Sequence, residues 1–236
     1  MLEIRNLTKR YKGGKVAVDN LSLTVEAGDI FAFIGHNGAG KSTTIKSVVG
    51  ILEFDSGDVF IDGHSVKDEP MACKKDLAYI PDNPDIYDHL TGIQYLNFIG
   101  DVFGVDSAAR TAKIDDYATR FDIKKNLGDM VGSYSHGMKQ KLVLISALMH
   151  SPKLLVMDEP FVGLDPKASF EVKNIMRELC KDGAAIFFST HVLEVAEKLC
   201  NKVAIIKDGK LVVCGDTESV VGSGSLESVF LKSEEV

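Results

Sequence analysis

Apolar and polar residues alternate along residues 2–7, 16–25 and 58–61, with Gly-rich turns at Gly13-Gly14 and Ala27-Gly28. A period of two with one apolar face predicts antiparallel strands, and hence a small β layer. Between them Ile30-Phe31-Ala32-Phe33-Ile34 is apolar without alternation, as a strand buried on both faces requires. From residue 91 to 149 the spacing becomes helical. Ile93, Leu96, Asn97 and Gly100 fall on one face, Gly104-Val105-Asp106-Ser107 breaks the pattern, and further helices run to Arg120 and from Ser135 onward. After Ser151-Pro152, strands at 154–157, 184–188, 203–206 and 211–214 alternate with helices starting near Pro166 and Val192, the layout of a parallel or mixed sheet. Val221-Gly222-Ser223-Gly224-Ser225 reads as a linker before a short amphipathic tail at 226–231 that is expected to pack on the rest.

The chain of 236 residues is long enough for a sizeable core, and its 45% hydrophobic content is dispersed. The longest apolar runs, such as 142–149, stop short of the ~20 residues that span a bilayer. The N-terminus lacks the basic-then-apolar layout of a secretory signal, so the chain is expected to stay in the cytosol. Cys73, Cys180, Cys200 and Cys214 have neither zinc-ligand spacing nor disulfide density and are expected to be buried thiols. A formal charge of −7 argues against a broad nucleic-acid surface.

Gly35-His36-Asn37-Gly38-Ala39-Gly40-Lys41-Ser42 matches G-x-x-x-x-G-K-[ST]. An accidental Gly-rich turn is the competing reading. The buried strand before it and the helix expected over 43–49 are the surroundings a phosphate-binding loop requires. Glycines let the backbone curl around a polyphosphate, N–H groups at the helix start face its oxygens, Lys41 supplies a charge, and Ser42 offers a hydroxyl to Mg²⁺. Further on, Leu154-Leu155-Val156-Met157-Asp158-Glu159 ends an apolar strand in two carboxylates. Beside a phosphate loop, Asp158 can hold the metal through its water shell, while Glu159 is placed to polarise an attacking water.

With these motifs on the chain, it resembles an ATP-binding cassette (ABC) ATPase subunit from about Leu2 to Cys214. Tyr134-Ser135-His136-Gly137-Met138 is similar to the family signature LSGGQ, residues 160–166 with Gly163-Leu164-Asp165 resemble the D-loop, and Ser189-Thr190-His191 resembles the switch-histidine loop. Tyr11 sits where the family places an aromatic residue on adenine. The resemblance implies an α/β fold: a P-loop NTPase (RecA-like) core at 1–83 and 151–215 that includes an antiparallel β subdomain, an inserted helical subdomain at 84–150, and a tail at 216–236. It implies ATP held by Tyr11, residues 35–43 (through Thr43) and, from a partner subunit, Ser135 and the Gly137 backbone; Mg²⁺ held by Ser42 and Asp158; and catalysis by Glu159 and His191. The other histidines, His64, His89 and His150, are expected to be solvent or turn residues, and His36 fills a variable loop position.

Two departures stand out. His136 replaces a signature glycine and could crowd a phosphate. Asp82, in Tyr79-Ile80-Pro81-Asp82, replaces the Q-loop glutamine; a carboxylate can bind Mg²⁺ but cannot donate to water. The resemblance implies the ATPase motor of a transporter, acting as an ATP-induced dimer on the cytoplasmic face of the membrane. Separate transmembrane permease subunits would dock on helical residues around Pro84, Ile86, Tyr87 and Leu90. The short chain and its tail are most similar to the cassettes of prokaryotic multidrug, antibiotic-peptide or sodium exporters. A soluble ABC assembly factor would share every motif; a DNA-repair or translation member would show tandem cassettes, a long coiled coil or basic surfaces; a purely regulatory module would lack Glu159.

Overall fold

The computed structural model describes residues 1–235, with side chains through residue 233. Two sheets share the core. The smaller is antiparallel, in the order β2-β1-β4-β5, from β1 (Leu2–Arg10), β2 (Val16–Val25), β4 (Ser56–Ile61) and β5 (His64–Ser65). The larger runs β10-β9-β3-β8-β7-β6, from β3 (Ile30–Ile34), β6 (Leu77–Ile80), β7 (Leu154–Asp158), β8 (Ala185–Thr190), β9 (Lys202–Lys207) and β10 (Lys210–Asp216). All its pairings are parallel except β9 with β10.

Period two along β3 divides the core. Phe31 and Phe33 face the small sheet and α1 (Lys41–Val48), their rings tilted against Phe187 at 5.8 and 5.4 Å. Ile30, Ala32 and Ile34 face the opposite way, toward the remaining long helices. Every residue of β3, β7 and β8 is buried, which is why these strands read as unbroken apolar runs. Burying each phenylalanine contributes about 1.5–3 kcal/mol.

On the second face lie α3 (Gly92–Val102), α4 (Ser107–Arg120), α5 (His136–Leu148), α6 (Pro166–Lys181), α7 (Leu193–Leu199) and α9 (Leu226–Glu235). Local chemistry sets their starts. Thr91 and Gln94 form a capping box on α3, while Asp106, Ser135 and Asp165 cap α4, α5 and α6 with side-chain oxygens. Arg120 ties α4 to α6, donating from Nε to Glu171 at 2.5 Å and through both terminal nitrogens to Glu178 at 2.9 Å.

Several expectations need correction. The two short helices α2 (Pro70–Asp76) and α8 (Thr217–Val221) were not legible from periodicity, since neither spans three turns. Asn97 is exposed; Tyr95 and Leu96 supply the buried face of α3. Pro84, Ile86, Tyr87 and Leu90 are not helical: bends at 82–83 and a turn at 88–89 precede Thr91, which caps α3, Pro81 and Pro84 disfavour helix at the residues before them, and Pro84 itself is buried. Cys73 and Cys200 are buried, but Cys180 is half-buried and Cys214 exposed, all four as free thiols. His150 does lie in a turn, but half-buried rather than in solvent: its ring stacks on Phe103 at 3.8 Å and 9°, and Nε2 lies 3.2 Å from the Leu77 carbonyl. The tail does pack, with Leu226 fully buried and its N–H donating to Glu197 of α7.

Candidate functional site

Three parallel strands end side by side, and the chemistry sits on the residues that follow them. Register pairs Ile34 with Thr190 and Asp158 with Ser189, so Gly35, Glu159 and His191 emerge at one edge of the sheet. Such an edge, at the carboxyl ends of parallel strands, is where open α/β sheets bind ligands.

From β3 the chain wraps through residues 35–40 into α1. Gly40 has φ 112°, and a Cβ there would collide with the Ala17 carbonyl oxygen of β2. Only glycine meets both conditions, which presses the loop against the small sheet. Around this loop opens a cleft of about 300 Å³. Tyr11, His36, Asn37, Gly38, Gly40, Lys41, Ser42, Thr43, Asp82 and Glu159 line it, together with Lys15 and Ala17. Gly35 and Ala39 lie behind the loop, buried. Tyr11 is 44% exposed, its ring offered to solvent and its hydroxyl 3.3 Å from Thr43 Oγ1. Lys15 and Ala17 escaped the sequence reading because they belong to no motif; only the hairpin that folds β2 over the loop brings them in.

Lys41 is almost fully buried and donates from Nζ to Gly35 O at 2.7 Å and His36 O at 3.3 Å. The same ammonium stands 3.6 Å from Glu159 Oε1. On the other side of that carboxylate, His191 Nδ1 lies 2.9 Å from Oε2. A carboxylate can only accept, so Nδ1 carries the proton and Nε2 points away from Glu159. Glu159 adopts φ 49°, a left-handed conformation rare for residues with a side chain. Its own N–H donates to Ser189 Oγ at 3.0 Å, and that hydroxyl donates onward to Asp158 Oδ1 at 2.5 Å. Ser189 thus sets the backbone of one carboxylate and an oxygen of the other, a role its place in the switch-histidine loop did not announce.

Asp158 is 0% exposed, and its Oδ2 has no protein donor. An anionic oxygen orphaned in the core is out of balance unless a cation or its water shell meets it. With the Ser42 hydroxyl and Asp82 lining the adjoining cleft, the oxygen-only donor set suits a hard divalent ion.

Ser135 and Gly137 do not line this cleft. Ser135 caps α5 by accepting from Met138 N at 3.3 Å. The His136 ring is turned toward Gly163. His36 places Nδ1 2.8 Å from Asn37 O and Nε2 4.0 Å from Asp208.

Comparison with known proteins agrees with this construction. The family described as ABC transporter matches residues 18–162, well over half of the chain. The uncharacterized ABC transporter ATP-binding protein YhcH of Bacillus subtilis (strain 168) is 38% identical over 214 residues, covering 90% of this chain and 68% of its own. The linearmycin resistance ATP-binding protein LnrL of the same organism is 32% identical, covering 91% and 69%. A solved ATP-binding subunit of an ABC transporter superimposes with a TM-score of 0.95 at 31% identity, covering 99% of both chains. The phosphate-loop cleft, the paired carboxylates at the neighbouring strand end and these matches together make the chain a member of the ABC transporter family, an ATP-binding subunit whose ATP hydrolysis is coupled to transport.

Proposed function

We propose that this subunit hydrolyses Mg²⁺-ATP between two cassettes and drives an exporter. The carrying observation is Glu159, held between Lys41 and His191 at the mouth of the phosphate cleft. In this reading Tyr11 stacks on adenine, the backbone of 35–40 and the first turn of α1 take the phosphates, and Lys41 exchanges its loop carbonyls for phosphate oxygens. Ser42 and Asp158, with Asp82, hold Mg²⁺, which supplies charge neutralisation of the phosphates when bound. Glu159 accepts a proton from the attacking water. His191 keeps that carboxylate turned toward the cleft and, when protonated, offers Nε2–H to the γ-phosphate.

Ser135 and the N–H of Gly137, at the start of α5, would reach the γ-phosphate of a second copy's ATP, since they stand outside their own cleft. Residues 84–150 would move as one unit against the core formed by 1–83 and 151–215, with 216–236 as an appended tail. For the permease, a groove of about 350 Å³ runs beside Ile86, Tyr95, Ile99, Phe103 and His150. Ile51 lines it and is exposed, and Tyr87, Phe98 and Val102, each next in the chain to a lining residue, are exposed too, apolar side chains of the kind that gather at interfaces. The groove is continuous with the loop bearing Asp82, so a shift at the cleft would be felt by a permease segment seated there, on the cytoplasmic side of the membrane. Among the described residues no helix is long and apolar enough to cross a membrane. The exporter subclass rests on the likeness to LnrL, whose name records resistance to linearmycin.

The test is co-purification. The chain, expressed with its chromosomal neighbours and extracted in detergent, should bring down a membrane subunit and show ATPase activity that Glu159→Gln removes. A soluble partner in its place would refute the transport assignment for this chain.

A further inference from the structure

The first two turns of α5 hold the loop between β7 and α6 at three points. A Cβ added to Gly163 would lie 2.5 Å from His136 Cδ2, so the imidazole rests directly on that glycine. Gly137 approaches the same loop so closely that an added Cβ would meet Gly163 O at 2.8 Å. Lys141 Nζ lies 2.7 Å from Asp165 Oδ2, the carboxylate whose Oδ1 caps α6 by accepting from Ala168 N.

Gln140 belongs to the same helix face. At ~100° per residue its side chain leaves α5 between the directions of His136 and Gly137, about 40° from one and about 60° from the other. It is 0% exposed. Neither Nε2 nor Oε1 has a hydrogen-bond partner within the protein. An amide buried with all its bonds unmade carries the full cost of its desolvation, and a methionine or leucine of similar volume would carry none. The burden is accounted for if a second arrangement of the molecule supplies the partners that this one withholds. Backbone able to do so lies in the loop at 160–166, which already touches α5 on either side of Gln140, at His136, Gly137 and Lys141, and begins one residue after Glu159.

We propose that Gln140 is a positioning residue for hydrolysis: unpaired in the arrangement described, its amide bonds the backbone of the 160–166 loop when that loop shifts as the cleft closes over ATP, and so fixes where Glu159 stands. The residue touches neither nucleotide nor water and acts only through the loop. The inference rests on the reading of the cleft as an ATP site that closes against a second copy.

The opposite signs of two effects provide the test. Gln140→Met and Gln140→Leu remove the amide while filling its space. Both should raise the melting temperature of the nucleotide-free subunit, by about 2–4 °C for a chain of this size. Both should also lower kcat about tenfold at an unchanged KM for ATP, and weaken the ATP-driven dimer when combined with Glu159→Gln. A melting temperature at or below wild type for both variants, or failure of both to fold, would show that Gln140 is already satisfied in the resting subunit and would overturn the proposal. Raised stability with unchanged kcat would overturn it equally, leaving Gln140 a packing defect without a role. If Glu159→Gln alone does not dimerise with ATP, the reading of the closing cleft fails instead, and the melting measurement still decides the resting state of Gln140.

Discussion

His191 Nδ1 and Glu159 Oε2 stand 2.9 Å apart although 32 positions separate the two residues. The contact exists because β7 and β8 are parallel neighbours whose carboxyl ends pair, Asp158 with Ser189, so the side chains that follow are aimed over the same edge. Glu159→Gln keeps the shape and the histidine contact but removes the proton acceptor. Turnover should fall at least ~10²-fold with ATP affinity retained, and the variant should accumulate as an ATP-bound dimer. Steady-state rates and light scattering with and without ATP check both, and a near-normal rate would remove Glu159 from its role.

Ser189 offers an independent probe of the same edge. Its hydroxyl connects the Glu159 N–H to Asp158 Oδ1. Ser189→Ala leaves two buried groups unpaired and should cost about 1–3 kcal/mol of stability. Turnover should drop as well, because the left-handed turn at Glu159 loses its anchor. Chemical denaturation alongside ATPase assays would expose a merely passive strand residue by unchanged values in both.

Tyr11 should contribute through its ring more than its hydroxyl. Tyr11→Phe loses only a 3.3 Å contact with Thr43, whereas Tyr11→Ala should weaken ATP binding by about 1–3 kcal/mol if base–aromatic stacking in nucleic-acid complexes is a fair guide. Equilibrium titration with a fluorescent nucleotide measures it, and equal affinity for the alanine variant would reduce Tyr11 to a strand-end residue.

Tyr87 and Ile86 separate docking from packing. Tyr87 is exposed and touches Phe98 edge-on at 5.7 Å, while Ile86 is half-buried against the core. Tyr87→Glu should therefore abolish co-purification of a membrane subunit without lowering the melting temperature of the isolated chain. Ile86→Glu should lower both. Thermal melting of Tyr87→Glu far below wild type would withdraw that side chain from the interface.

Acid should find His150. Burial holds its pKa below the usual imidazole value. The unfolded chain then binds a proton that the native state resists, so this residue's contribution is complete above the unfolded pKa of ~6.5 and is lost as pH falls through the lower folded value. His150→Gln should flatten the decline in melting temperature below pH 6.5, and a parallel decline in both proteins would locate the acid sensitivity elsewhere.

Much of this site was legible because each motif states its own surroundings. A phosphate loop must leave a strand and enter a helix, and Ile34 and Lys41 do so. Apolar strands ending in Asp158 and Thr190 likewise declared where their loops would emerge. What stayed hidden depended on contacts between distant segments. Nothing in the order of residues tells that Lys15 shares a cleft with Gly38, that His150 stacks on Phe103, or that His136 is turned toward Gly163. The stretch at 81–91 misled for a local reason, since Ile86, Tyr87 and Leu90 carry helical spacing while Pro81 and Pro84 hold the residues before them out of helix and the chain turns at 88–89 instead.

Strand β8 lies between β3 and β7, yet it is made after both. While the chain is still being synthesised, the phosphate loop and the Asp158–Glu159 pair exist as separate ends with no common edge. Their spacing in the finished sheet is set by residues 185–190, which pair with both strands. Insertion of a central parallel strand closes long loops and is slow relative to local helix formation. Nascent or truncated chains ending before that strand should therefore gain no protection from ATP against proteolysis, and protection should appear abruptly with it. Nucleotide would act in the cell as a late proofreader of the finished sheet, holding those molecules whose last central strand has found its place.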